Sequence, residues 1–168
     1  MPAIPTTRSC LAKSQSRQRA YCGLFGMNDR GDPFDLQRFV EAQNPCFERV
    51  RSELREGKKR GHWIWFIFPQ IKGLGHSPMA QKFAISSRDE AAAYLAHPIL
   101  GPRLRECSEL VNSIEGRSIG EIFGSPDDLK FRSCMTLFAH TKQDNQIFVD
   151  ALQKYCAGKP DPLTLERL

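Results

Sequence analysis

The 168-residue chain lacks most of the short sequences that carry catalysis. It contains no Gly-x-Ser-x-Gly, no Ser-x-x-Lys and no Walker phosphate-binding sequence. Its four histidines, His62, His76, His97 and His140, include no pair spaced four apart, so no helical two-histidine metal motif is present. The six cysteines are never closer than 12 residues, which excludes a Cys-x-x-Cys zinc or redox pair. No apolar run exceeds six residues, far short of the roughly 20 that a membrane-spanning helix needs. No cofactor, metal or membrane partner is expected. Nothing in the motif content assigns an enzymatic activity.

Acidic residues are also missing from one place. Residues 1–26 hold Arg8, Lys13, Arg17 and Arg19 and no Asp or Glu. The whole chain carries 24 Lys plus Arg against 19 Asp plus Glu, a net charge of +5. From Met27 onward the balance is 20 against 19, close to neutral. The basic character therefore belongs to the first segment, and general attraction of the remainder to nucleic acid is not expected. Residues 1–26 read as a disordered N-terminal extension, either an upstream start before Met27 or an organellar transit peptide. Residues 27–168 read as a single domain, reduced and cytoplasmic, or mitochondrial if the leader is genuine. Cys46, Cys107, Cys134 and Cys156 fall on helical patterns and are expected as unpaired thiols packed in or near the core.

What is present is a repeated helix-start signal. Asp32-Pro33, Asn44-Pro45, Ser77-Pro78, Ser125-Pro126 and Asp161-Pro162 each pair a capping side chain with proline, which fits the first helical position because its missing N–H would have no partner there. Ser87 to Glu90 and Ser118 to Glu121 have the spacing of capping boxes, the first opening a helix over 88–96. Apolar residues recur at helical spacing: Leu36, Phe39 and Val40; Phe47, Val50 and Leu54; Leu104, Cys107, Val111 and Ile114; Ile147, Phe148, Ala151, Leu152 and Tyr155. The expectation is an all-α domain, a compact bundle of about seven to nine short helices without significant sheet. Trp63 to Phe68 has strand-like composition but no second strand to pair with, so residues 61–68 are expected as a short buried helix stopped by Pro69.

Two polar constellations flank or face that segment. Gln70-Ile71-Lys72-Gly73-Leu74-Gly75-His76 has glycines that let backbone approach a ligand, and two side chains able to hold an anion. A plain turn with glycines at positive φ accounts for the same residues. Trp63 and Trp65 are two apart and point about 200° from each other on a helix, so one should sit in the core and the other cover a cleft or a neighbouring helix. In Ser125 to Ser133, Asp127 and Asp128 suit the first turn of a helix. Arg132 stands in an apolar stretch, where its guanidinium needs a partner: Asp128 four residues earlier, or an anionic ligand. Arg55, Lys58, Lys59 and Arg60 form a dense basic cluster that either complements a helix C-terminus or holds phosphate.

The stretches DPFDLQRFVEAQ, GKKRGHWIWFIFPQIKGLGHSPMAQKFAI, HPILGPRLREC and IFGSPDDLKFRSCMTLFA resemble the family known as domain of unknown function 1810. The resemblance spans about Asp32 to Leu168. It implies a compact, mainly helical domain and no established activity. His62, Trp63, Trp65, Gln70, Gly73, Gly75, Lys130, Arg132 and Ser133 match its motifs.

Taken together, the residues suggest a small phosphorylated or nucleotide-like ligand held in a cleft between 62–76 and a helix over 126–140. His62, Trp63, Trp65, Gln70, Lys72, Gly73, Gly75, His76, Lys130 and Arg132 would line it. A protein-interaction module without a small-molecule site is the alternative, and RNA binding a third.

Overall fold

The computed structural model describes residues 31–141 and 144–168. The expectation for residues 1–26 falls outside them. Phe34–Leu168 form one compact unit. Its described residues form ten helices: α1 (Gln37–Gln43), α2 (Phe47–Arg55), α3 (Ile64–Ile67), α4 (Pro78–Lys82), α5 (Arg88–Ala96), α6 (Leu100–Asn112), α7 (Ile119–Phe123), α8 (Asp127–Ala139), α9 (Gln146–Cys156) and α10 (Pro162–Leu165). Among the described residues the extended structure is a single parallel bridge, Ile71 to Ile85. The all-α expectation holds. The helix number exceeds the expected seven to nine because short segments such as Pro162–Leu165 form turns of their own.

Helix α8 is the centre of the unit. Phe131 and every residue from Ser133 to Phe138 are buried, and α3, α5, α7, α9 and α10 all pack on it. From Ser133 to Phe138 the helix is enclosed, the Ser133 and Thr136 hydroxyls bonding back to the Leu129 and Arg132 carbonyls of their own helix. Phe131 and Phe138 lie seven residues, two turns, apart and each anchors an aromatic cluster. Phe131 meets Phe68 and Phe123, both at 5.0 Å between ring centres. Phe138 meets Tyr94 at 5.5 Å and Phe148 at 5.7 Å. Such edge-on and offset contacts contribute about 0.5–1.5 kcal/mol each beyond area burial.

The apolar stripes predicted helices correctly, while the proline pairs did so less often. Ser77 and Asp161 cap α4 and α10 through their side chains, with proline at the first helical position. Asp32-Pro33 precedes α1 by several residues, and Leu36 occupies its cap. Asn44 closes α1 instead of opening α2, which starts from Cys46. Ser125-Pro126 is a cis peptide, and Pro126 itself sits at the cap of α8. Proline is equally at home in the turns between helices, and the dipeptide does not separate the two uses. Ser118 and Glu121 form the expected reciprocal capping box. Ser87 caps α5, but Glu90 turns away from it and accepts from the backbone and hydroxyl of Ser86.

Three buried polar side chains hold the helices in register. Gln43 donates to the Phe66 carbonyl at 2.8 Å and to the Tyr94 hydroxyl at 3.1 Å, joining α1, α3 and α5. Glu90 pairs with Arg38 at 2.7 Å. Arg38 also donates to the Lys82 and Ala84 carbonyls, both at 3.0 Å, and so ties α1 to the segment before α5. The third, Glu53, belongs to the tryptophan motif. The thiols of Cys107 and Cys134 are buried and those of Cys46 and Cys156 half-buried, all unpaired. Burial pushes the Cys107 thiol up to about 12, so it is a packing residue and not a nucleophile.

Candidate functional site

The segment that attracts the eye in sequence is interior. Helix α3 is only one turn, with Trp63 at its N-cap and Phe68 at its C-cap. Pro69 stops it as expected, but it is shorter than the expected 61–68 because the Arg60 and Gly61 N–H groups bond to Glu53 and hold its entry in a turn. Trp63 is fully buried. Its indole N–H donates to Glu53 Oε2 at 2.8 Å, and the same oxygen accepts the backbone N–H of Arg60 at 2.8 Å and of Gly61 at 2.9 Å. Burial acts to raise the Glu53 carboxyl's pKa, but these three donors and the nearby Arg49 outweigh it, leaving it below the ordinary glutamate value. Gly61 is required by closeness: a Cβ there would stand 2.6 Å from the Trp63 ring. Glu53 thus shapes the turn that delivers the tryptophan to the core.

Trp65 lies on the other side, half-buried. The Lys130 ammonium covers its ring at 4.7 Å. Lys130 also pairs with Asp127 at 2.7 Å, and Asp127 holds Lys59 at 2.7 Å through its other oxygen. Burial pushes the Asp127 carboxyl up, and the hydrogen bonds from Lys130 and Lys59 bring it below its usual range. This Lys–Asp–Lys group fastens residues 59–65 to α8. Within the basic cluster, Arg60 pairs with Glu56 at 2.6 Å and Lys58 donates to the Glu121 carbonyl at 3.3 Å.

Arg132 is bonded to backbone carbonyls and not to Asp128. Its guanidinium donates to the Lys159 carbonyl at 3.1 Å and the Pro160 carbonyl at 2.9 Å. Beside it, Ser133 donates to Asp161 at 3.1 Å, and Asp161 caps α10 through Thr164. One turn further along, Thr136 accepts the backbone N–H of Asp161 at 2.8 Å. Arg132, Ser133 and Thr136 together dock the C-terminal segment onto α8.

The loop after Pro69 is different. Lys72 N–H donates to Ile85 O and Ile85 N–H to Gln70 O, both at 2.8 Å, so the loop is pinned at its base. Gly73 adopts φ 95°, a conformation open to glycine. A Cβ on Gly75 would stand 2.5 Å from that of Ala80, so the loop presses on α4. Lys72, Gly73, Gly75, His76, Gln81 and Ala84 line a cavity of about 400 Å³. Gln81 donates to the His76 carbonyl at 3.1 Å across it. Among these six residues the ionisable side chains are one lysine and one histidine, and none is a carboxylate, thiol or hydroxyl.

The structure therefore does not gather the sequence-selected residues in one place. Lys72, Gly73, Gly75 and His76 meet in the cavity. Trp63 is core, while Trp65 and Lys130 pack on one another. Arg132 binds the C-terminal segment, with exposed His62 and half-buried Gln70 outside the cavity lining. Gln81 and Ala84 are lining residues that the sequence did not single out. Helical spacing offered one signal for Glu53, three residues after Val50 on the stripe of α2.

Two comparisons locate this architecture among known proteins. The model of a family described as a protein of unknown function, DUF1810, matches residues 33–168. The chain belongs to the DUF1810 family. A crystal structure of the conserved hypothetical protein Rv1873 from Mycobacterium tuberculosis is 59% identical, with a TM-score of 0.81 over 82% of this chain and 98% of that one. No match was found among curated proteins. The DUF1810 motifs acquire physical roles here: Trp63 builds core, Trp65 makes a helix contact, and Lys-x-Arg-Ser supplies the ties along α8. No helix of the described residues is long and apolar enough to cross a membrane, and they contain no cluster of three or more metal-ligating side chains.

Proposed function

We propose that this DUF1810 protein binds a small phosphorylated or nucleotide-like molecule in the cavity at Lys72–His76. The observation that carries this reading is a lining without carboxylates: Lys72 and His76 are its ionisable side chains. An anion entering there meets the Lys72 ammonium on a loop pinned by Ile85 and Ala80. Little ordering is left for the ligand to impose, which favours affinity. The cleft inferred from sequence moves accordingly, from the face of α8 to the face of α4.

The test is a thermal-shift screen of the full chain against nucleotides and phosphorylated metabolites. A ligand at about 100 times its Kd should stabilise by about 2.7 kcal/mol. Lys72→Ala and His76→Ala should abolish that shift while melting like the parent without ligand. A shift retained by both variants removes the cavity from consideration.

A protein-interaction module is the second reading, supported by leucines left in solvent: Leu129 on α8, 59% exposed, and Leu163 on the docked α10, 52% exposed. RNA binding has less support, because Lys58, Lys59 and Arg60 are already engaged within the fold.

A further inference from the structure

We infer that Arg167 joins Lys72 as a second cation of this anion site, and that Arg132 and Ser133 are the residues that position it; the inference rests on the ligand reading above. The starting point is Gly73, whose backbone lines the cavity. A methyl group there would stand 3.1 Å from Arg167 Nε and 3.7 Å from Cδ, so the arginine side chain lies directly against the bare backbone of this glycine. Two requirements coincide at Gly73: a φ of 95° and space for a guanidinium. Its nearest carboxylate pairing is loose, to Glu166 at 3.9 Å, with that glutamate side chain 66% exposed. Its Nη1 donates to the Leu163 carbonyl at 2.7 Å, which holds the head group near the C-terminal turn. A planar guanidinium in that position retains donors for a phosphate oxygen.

The same contacts explain why Arg132 is needed although it does not line the cavity. Arg167 follows α10, and α10 is held through the 159–161 turn. Arg132 grips the Lys159 and Pro160 carbonyls. Ser133 donates to Asp161, whose carboxylate caps α10. Loosening either grip frees the short helix on which Arg167 depends. The two DUF1810 motifs therefore meet twice, directly where Lys130 covers Trp65 and indirectly where the C-terminal segment links Arg132 and Ser133 to Gly73.

The experiment uses the full chain and inorganic pyrophosphate as probe, read by amide chemical shifts of Gly73 and Gly75. Arg167→Gln keeps most of the side-chain stem and removes the charge; it should weaken binding about tenfold, as expected for a lost charged hydrogen bond. Arg167→Lys should recover part of the loss, which a purely structural role would not. Arg132→Ala should also weaken binding, accompanied by faster amide exchange over residues 162–167. If Arg167→Gln binds like the parent while Lys72→Ala does not, the anion site stands and the role of Arg167 is overturned. If the parent shows no saturable shift, the ligand reading itself fails and this inference with it. Should Arg132→Ala not fold, Ser133→Ala provides the same positioning test with a smaller lesion, and unchanged pyrophosphate affinity there overturns the positioning role.

Discussion

Two neighbouring stretches of this chain, Trp63–Phe68 and Gln70–His76, look alike as candidates for a site and behave in opposite ways. The first is nearly all interior, and its one indole donor inside the core is matched by a buried carboxylate. The second is exposed or half-buried apart from Ile71, pinned at its base, and lines a cavity with basic side chains. Aromatic density followed burial; the sparse, glycine-bearing loop kept uncommitted polar groups. Conspicuous residues are often those that the core consumes.

This contrast can be broken most severely at Glu53. Glu53→Ala leaves three donors, including the Trp63 indole, without their acceptor, and should cost about 3 kcal/mol or more in denaturant unfolding. The pH dependence has a definite sign. The folded carboxyl titrates below its unfolded value, so its stabilising contribution is present above the unfolded pKa and is lost as pH falls through the folded one. Asp127 behaves the same way. Acid titration should show a steeper loss of stability below about pH 4 in the parent than in Glu53→Gln.

Arg132→Ala should come next, at about 1–3 kcal/mol, because two backbone carbonyls lose charged donors. Hydrogen exchange should locate the effect at residues 159–167, leaving the α3 region protected. Gly73→Ala should cost about 1–2 kcal/mol through its positive φ, and it should also displace Arg167. At the small end, Lys72→Ala and His76→Ala should change stability by no more than about 0.5 kcal/mol, since both side chains are exposed. If those two destabilise as much as Glu53→Ala, the loop is structural and the contrast collapses.

Much of the fold was legible from periodicity. Phe39 and Val40, Phe47, Val50 and Leu54, and Leu104, Cys107 and Val111 are all buried as their stripes required. The capping box at Ser118 was readable because its two partners lie three residues apart, within one turn. Arg132 was correctly singled out as a cation needing a partner, yet the partners are carbonyls 27 and 28 residues away. Backbone carbonyls carry no sequence signature, so no inspection of side chains could name them.

By itself, the sequence determined that this chain makes an all-α unit, where most of its helices run, which apolar faces close the core, and that it belongs among the DUF1810 proteins. Those properties depend on local spacing and capping, which are written within a turn or two of each residue. Tertiary structure alone decided that Glu53 receives the tryptophan, that Arg132 holds the C-terminal segment, and that Arg167 lies on Gly73. Each of the last two joins residues far apart in the chain, and all three rest on short contacts whose geometry only the packed core supplies.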